Sequence, residues 1–291
     1  MDSQRHFPPT FSLEFFPPKT AAGREKLRAT LAALAPLGPD YISVTFGAGG
    51  TTRSGTLETA LMVRDAGIPP APHLSCIGAS REEIAGILDG YRAEGIRRIV
   101  ALRGDIPSGM GAQTGGDFHH ANELVAFIRE HAGDHFTIEV AAYPEFHPQA
   151  PSASADLRYF KQKVAAGADG AITQYFYNPD AYFRFVDDCE RLGVEVPIVP
   201  GIMPITNYQQ LARFSDACGA EIPRWIRKRL EDFGDDLEGL RAFGLDVVRS
   251  LCQKLLEGGA PGLHFYTMNQ AEPTATLWRE LDLTQRKSPE G

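Results

Sequence analysis

Cysteine is scarce and scattered in this chain. Its four residues, Cys76, Cys189, Cys218 and Cys252, stand far apart, with neither CxxC spacing nor neighbouring histidines, which excludes zinc ribbons and redox pairs and fits a reducing cytoplasm. Positive charge is in short supply as well. Lys and Arg number 29 against 37 Asp and Glu, the formal net charge is −8, and no run of five basic residues occurs. Phosphate backbones and anionic lipid are held by concentrated positive charge, so neither nucleic acid nor a membrane surface is expected as the main partner. No apolar stretch approaches the ~18 to 20 residues of a membrane span. The start, Met1 to His6, runs into a polar and Pro-rich segment without an apolar core, so no signal peptide is visible and a cytoplasmic location is expected. HExxH, GxSxG and a regularly spaced His/carboxylate set are missing, which weakens metal hydrolysis and serine acyl transfer, and no metal is expected. Gly47 to Thr52 resembles a phosphate-cradling turn, yet it lacks the third glycine of GxGxxG and the GK[ST] of a P-loop.

What the chain does have is apolar and aromatic material. Hydrophobic residues at 43%, with 17 Phe and 9 Tyr, can build a large core. A length of 291 residues suits two domains of ~100 to 200 residues or one eight-stranded barrel of ~250. Short runs rich in Val, Ile, Phe and Tyr alternate with segments of helical period, a βαβ rhythm. Strands are expected at 10–16, 41–47, 71–76, 97–103, 137–143, 170–177, 197–203 and 262–268. Helices are expected near 21–36, 54–66, 80–94, 119–132, 154–167, 179–192 and 207–219, with one more after Asn269. The strands read as near-continuous apolar runs, as when both faces are covered. Between 222 and 259, Leu237, Leu240, Phe243, Val247, Val248, Leu251, Leu255 and Leu256 trace a helical stripe. The fold expected is α/β: a single (β/α)8 TIM barrel with extra helices before the last strand. One domain is expected over 1–291, with ends at about 1–8 and 284–291 that fray.

In such a barrel, function gathers at the carboxyl ends of the strands. There the sequence places Glu14, Thr45, His73, Arg103 with Asp105, Tyr143 with Glu145 and His147, Gln174, and Tyr266 with Asn269. Any one of them is more simply a helix cap or a solvated loop residue; their recurrence from strand to strand weakens that reading. Glu14 is the most informative, because it interrupts the apolar strand Phe11-Ser12-Leu13-Glu14-Phe15-Phe16. Charges are rarely buried without purpose or partner. Desolvation would keep a proton on Glu14 towards neutral pH, as a general acid requires; a partner Lys or Arg in the core is the competing reading. Arg103-Gly104-Asp105 sets opposite charges about a glycine that lets a ligand approach the backbone. His119-His120 reads as a solvated helix start.

Seven collinear motifs then converge on one family: FSLEFFPP at 11–18, SVTFG at 43–47, LRGD at 102–105, AAYPEFHP at 141–148, AITQYF at 171–176, PGIMP at 200–204 and HFYTMN at 264–269. Together they resemble the 5,10-methylenetetrahydrofolate reductase family, in its short bacterial form made of the catalytic barrel alone, over roughly 11–281. The resemblance implies a barrel that holds FAD, takes hydride from NADH or NADPH, and passes it in ping-pong order to 5,10-methylenetetrahydrofolate. The product, 5-methyltetrahydrofolate, feeds methionine synthesis. Glu14 matches the family's general acid and Asp105 the carboxylate between flavin and pterin. For FAD it implies Thr45, Phe46, His73, Leu102, Arg103, Gly104, Asp105, His120, Ala121, Ala141, Tyr143, His147, Asp156, Tyr159, Gln162, Lys163 and Ile172, with Arg103 and Lys163 as counter-charges for the pyrophosphate. For folate and the nicotinamide nucleotide it implies Thr45, Asp105, Gln174, Gln210, Phe214, Tyr266 and Gln270. A homo-oligomer is implied as well. The chain departs from the family pattern at His120, where tyrosine is usual, at Tyr159 and Gln162, which replace an Asn and an Arg, and at Gln270, which replaces an Arg. Two alternatives stand beside this reading: a flavin- or folate-dependent barrel with another one-carbon or pterin reductase role, and a non-catalytic folate- or flavin-binding subunit. The presence of Glu14, Asp105 and Gln174 disfavours the first, and that of Glu14 the second.

Overall fold

The computed structural model describes residues 1–46, 53–104 and 115–286. Nine strand segments, all parallel to their neighbours, form one sheet: β1 (Thr10–Phe15), β2 (Ile42–Val44), β3 (Pro70–Ser75), β4 (Arg98–Leu102), β5 (Thr137–Ala142), β6 (Gly170–Thr173), β7 (Ile198–Val199), β8 (Gly201–Ile202) and β9 (Gly262–Tyr266). The order β7-β6-β5-β4-β3-β2-β1-β9-β8 closes on itself, because β7 and β8 are two halves of one strand. Pro200 separates them. It has no N–H to give a ladder, so β7 pairs with β6 alone and β8 with β9 alone. The Pro200 carbonyl still accepts from His264 N at 3.0 Å, and the Thr173 hydroxyl accepts from Gly201 N at 2.9 Å across the break. The expected eight-position α/β barrel is present, its seventh strand divided.

Helices α1 (Ala21–Leu34), α2 (Arg53–Asp65), α3 (Arg81–Ala93), α4 (Ala121–Ala132), α5 (Ala153–Ala165) and α6 (Pro179–Arg191) each follow one strand. Their starts are written locally. Thr20, Ser80, Ser152 and Asn178 accept from backbone N–H groups of the first turns, and Ser80 with Glu83 forms a reciprocal capping box. After the divided strand come α7 (Tyr208–Cys218), α8 (Arg224–Asp232) and α9 (Leu237–Glu257), then β9, α10 (Thr274–Glu280) and α11 (Leu283–Arg286). The buried stripe of α9 is Leu240, Gly244, Val247, Val248, Leu251, Cys252 and Leu255; Leu237, expected in it, is 47% exposed. Gly244 belongs there because a Cβ would come within 2.4 Å of the Ile205 carbonyl oxygen, so its absence lets α9 lie against the chain leaving β8. α9 also packs on α6, which makes it the ring helix at this position.

At the N-terminal end, expected to fray, the chain is held by the barrel base. Asp2–His6 form a 3-10 turn, and the buried Gln4 amide donates to Val196 O and accepts from Ile198 N, covering the base beside β7. Leu283, just ahead of the tail expected to fray from 284, is fully buried.

Side-chain alternation divides the core in two. Phe11, Leu13 and Phe15 of β1 point into the large shell between strands and helices. Ser12 and Glu14 take the opposite parity and face the barrel interior. A separate small cluster of Tyr41, Ala71, Val100 and Ile172, with Leu102 against it, fills part of that interior. Near the base, Arg98 pairs with the buried Glu139 and lies over the Tyr41 ring at 4.6 Å. Burial pushes the Glu139 carboxyl up, and Arg98 opposes the rise.

Candidate functional site

Glu14 is the penultimate residue of β1, in register with Ser43 on β2 and Tyr266 on β9. Its side chain is 16% exposed and receives groups from three strands. The Ser43 hydroxyl donates to Oε2 at 3.2 Å, His73 Nε2 lies 3.2 Å away, and His264 Nε2 lies 3.6 Å away on the other side. His264 Nδ1 in turn bonds Ser12 Oγ at 2.8 Å. The strand end is held by backbone contacts: the Thr267 hydroxyl donates to Glu14 O at 2.7 Å, and the Asn269 amide bonds both N and O of Phe16. Asn269, placed at the mouth by sequence, is therefore committed to closing β9 onto β1.

The expectation that Glu14 retains its proton through desolvation is corrected here. Burial does raise its pKa, but the His73 and His264 imidazoles beside it together outweigh burial and draw the group down to about 2. The competing reading, a core Lys or Arg, fails as well, since among the described residues the ion-pair partners are imidazoles.

Of the other residues singled out from sequence, several meet on the β4–β5–α5 side of the mouth. Gly104 follows β4 at φ +90°, where a Cβ would sit 1.9 Å from Ser75 Oγ, so only glycine turns the chain here. The Arg103 guanidinium donates to Gln149 Oε1 and to Gly104 O. Tyr143 and His147 meet edge to face with centroids 4.6 Å apart, and Asp156 accepts from His147 N at 2.9 Å. The Lys163 ammonium donates to Ala141 O; burial draws its pKa down to about 8 against the pull of Asp156. His120 caps α4 just before Ala121, as the helix-start reading expects, and its ring stacks on Tyr159 at 6.5 Å. Gln162 is exposed on α5.

Thr45 closes the β1–β2 end, its N–H donating to Phe15 O at 2.9 Å, and Phe46 packs against the outer core. Leu102 and Ile172 belong to the interior apolar cluster. Gln174 lines a cleft with Tyr143, Glu145, Phe146, Tyr175 and Cys218. Burial raises the Glu145 carboxyl, which accepts from Glu221 N at 2.8 Å. Gln210 and Phe214 line a second cleft with Met203, Asn207 and Met268. Tyr266 stands between the first cleft and the acid, edge-on to His264 at 5.3 Å and to Tyr175 at 6.4 Å, its hydroxyl donating to Thr173 O at 2.7 Å. Gln270 makes a backbone bond to Thr267 O and joins neither cleft lining. Asp105 and the Gly47–Thr52 turn lie outside the described residues.

Sequence reasoning missed Ser12, Ser43 and His264. The signal was parity: Ser12 and His264 lie two residues before Glu14 and Tyr266, so they share their inward faces. Among the described residues, no group of three or more His, Cys, Asp or Glu is arranged to hold a metal ion, and no helix is long and apolar enough to cross a membrane.

Comparison with known proteins falls on one family. The family described as methylenetetrahydrofolate reductase matches residues 2–282. The 5,10-methylenetetrahydrofolate reductase of Escherichia coli (strain K12) is 41% identical over 271 residues, covering 93% of this chain and 90% of that protein. The methylenetetrahydrofolate reductase (NADH) 1 of Arabidopsis thaliana is 41% identical over 271 residues, covering 89% of this chain and 46% of the plant protein. A solved structure of an uncharacterized protein from Clostridium thermocellum, described as binding two copies of 5-methyl-5,6,7,8-tetrahydrofolic acid, superposes with a TM-score of 0.67 at 17% identity, covering 97% of this chain and 98% of that one. At that identity the likeness speaks for the fold alone.

Proposed function

The chain belongs to the methylenetetrahydrofolate reductase family, and from that premise we propose that it reduces 5,10-methylenetetrahydrofolate to 5-methyltetrahydrofolate with FAD as cofactor and NADH or NADPH as hydride donor. The carrying observation is Glu14: a carboxylate facing the interior at the end of β1, within reach of two imidazoles and a serine, where a barrel enzyme keeps its chemistry. The Escherichia coli relative named for 5,10-methylenetetrahydrofolate supports the substrate, and the plant relative named for NADH supports that donor.

The residues present fit FAD. Arg103 adjoins a glycine whose Cβ position is closed by Ser75, and Lys163 on α5 has a neutral carbonyl of β5 as its direct acceptor, two cations that suit a pyrophosphate. Tyr143, His147, Asp156, Tyr159 and His120 extend that surface as aromatic and polar walls. FAD, when bound, supplies two-electron hydride chemistry between nucleotide and folate.

The chain's own part is binding, orientation and protons. Glu14 donates the proton that opens the folate's five-membered ring to a 5-iminium cation. Asp105, one residue beyond Gly104, places negative charge near that cation. Gln174, in the lining of the first cleft, serves the folate and the nicotinamide in turn, which requires ping-pong order. Gln210 and Phe214 contact the same ligands from α7. The product is a methyl donor for methionine synthesis.

The experiment is the visible spectrum of the purified protein, repeated anaerobically after NADH or NADPH and again after methylenetetrahydrofolate. A yellow protein that bleaches with nucleotide and recolours with folate is expected. A protein that stays colourless after incubation with FAD refutes the flavin mechanism.

Lys163 gives this reading a pH signature. Its pKa of about 8 in the free protein means that above that pH the anion must recruit a proton as it binds, so FAD affinity falls by up to about tenfold per pH unit. Fluorescence quenching of FAD by apoprotein should show this fall, and Lys163→Arg, which keeps its charge, should flatten it. An affinity independent of pH in the wild type removes Lys163 from the pyrophosphate site.

A further inference from the structure

The proposed chemistry asks Glu14 for a proton, while its surroundings favour the carboxylate, so the proton must be kept elsewhere. His264 is fully buried on β9 and lies opposite Ser12 in the β1–β9 register. Its Nδ1 is 2.8 Å from Ser12 Oγ, and its Nε2 faces Glu14 Oε2 at 3.6 Å with no hydrogen-bond partner among the described residues. A neutral imidazole has one N–H and one lone pair. If the Ser12 hydroxyl donates to Nδ1, the N–H sits on Nε2 and points at the carboxylate; the reverse tautomer aims a lone pair at it. The second arrangement, in which Nδ1–H donates to Ser12 Oγ, leaves Nε2 free to take up a proton and pass it to Glu14.

The other groups facing this pair narrow the source. His73 Nε2 approaches the same oxygen at 3.2 Å from β3. The Tyr41 ring stacks on His264 at 6.2 Å and the Tyr266 ring meets it edge-on; burial raises both phenols well beyond neutrality, so they stay protonated. Beneath Tyr41, Arg98 and Glu139 neutralise one another. Ser43 carries no charge. Of the two imidazoles beside Glu14, it is His264 whose orientation, among the described residues, is set by a second side chain.

We propose that His264, oriented by Ser12, is a positioning residue that stores the proton Glu14 delivers to the folate. This rests on the reductase reading above. In the step, the Nε2–H bond of the imidazolium breaks as the Glu14 O–H bond forms, and the Glu14 proton passes to the folate nitrogen that leaves the bridging methylene. The neutral imidazole is then reprotonated from water, and no electrons change hands. A folate covering the mouth expels water and disfavours the charged imidazolium–carboxylate pair against the neutral pair, which moves the proton to Glu14 when it is needed. Burial lowers the pKa of His264 and Glu14 opposes the fall, so the store empties as pH rises.

The test uses the FAD-loaded enzyme and follows its two half-reactions separately. His264→Gln keeps an N–H towards Glu14 yet holds no proton. Its folate half-reaction should lose about tenfold more rate at about pH 6, where the wild-type store is filled, than at about pH 8, with flavin reduction by NADH or NADPH unchanged. A loss of equal size at every pH, or a parallel loss in both half-reactions, reduces His264 to packing and overturns the proposal. Nitrogen-15 spectra of the histidine-labelled enzyme give a readout that needs no turnover: Nδ1–H for neutral His264 in the wild type and mixed tautomers in Ser12→Ala are expected, and a wild-type Nε2–H tautomer overturns the proposal. Wild-type enzyme that fails to recolour with folate refutes the reductase reading, while the tautomer result is decided on its own.

Discussion

Glu14→Gln will slow the folate half-reaction by about 10²- to 10⁴-fold, the range for loss of a positioned general acid, and leave flavin reduction by NADH or NADPH nearly intact. Glutamine preserves the size of the side chain, so Ser43 and both imidazoles keep their places, and what disappears is the transferable proton. Nucleotide oxidation delivers a hydride and asks nothing of Glu14. Rapid mixing resolves the two steps, and an equal loss in both contradicts the assignment. The same substitution carries a stability signature. The folded pKa of Glu14 lies below its ordinary value of 4.5, at about 2, so the carboxylate contributes stability that is present above 4.5 and lost as pH falls towards 2. Acid titration of the fold should therefore be shallower in Glu14→Gln over that interval.

The second large effect is expected far from the mouth. Arg98→Met strands the Glu139 carboxylate, which is 7% exposed, without its cation, and breaking a buried pair in this way costs about 3 kcal/mol, at the low end because Arg98 is itself 30% exposed. For a chain of this length that is roughly 5 °C in melting temperature. The pH dependence fixes the cause. Without Arg98 the folded pKa of Glu139 rises further above its unfolded value, so the variant is nearest to wild type below the unfolded pKa and falls behind as pH rises. Pairing the change with Glu139→Leu should restore most of the loss, because it removes the orphaned charge. A single variant as stable as wild type at neutral pH contradicts the argument.

The barrel was legible because each βα unit announces itself locally, through apolar runs of strand length and cap residues such as Ser80 and Asn178 at the helix starts. Glu14 was legible as a charge in an apolar strand. The sign of its pKa shift was not, since it depends on His73 from β3 and His264 from β9, and the latter lies 250 positions away in sequence. His264 sits in an apolar run and reads as a core residue until the ring closes and β9 falls beside β1. Leu237 misled because periodicity cannot tell the first exposed turn of α9 from its packed middle. FAD, the order of the half-reactions and the division of labour among Arg103, Lys163 and Gln174 came from the resemblance, as no composition or spacing names a cofactor.

Pro200 has one more consequence. Everywhere else the hoop of strands is joined by lateral hydrogen bonds, so its continuity does not depend on any single peptide bond. At Pro200 the left edge of the sheet ends on β7 and the right edge begins on β8, and what joins them is the main chain, helped by the Thr173–Gly201 and Pro200–His264 bonds. The ring is fastened there by a covalent clasp. A permuted chain with new termini in a surface loop would keep that clasp, whereas termini placed at Pro200 would leave closure to the Thr173–Gly201 and Pro200–His264 bonds alone. The clasp joins the base, where Gln4 grips Val196 and Ile198, to the stretch of β8 that runs beside His264.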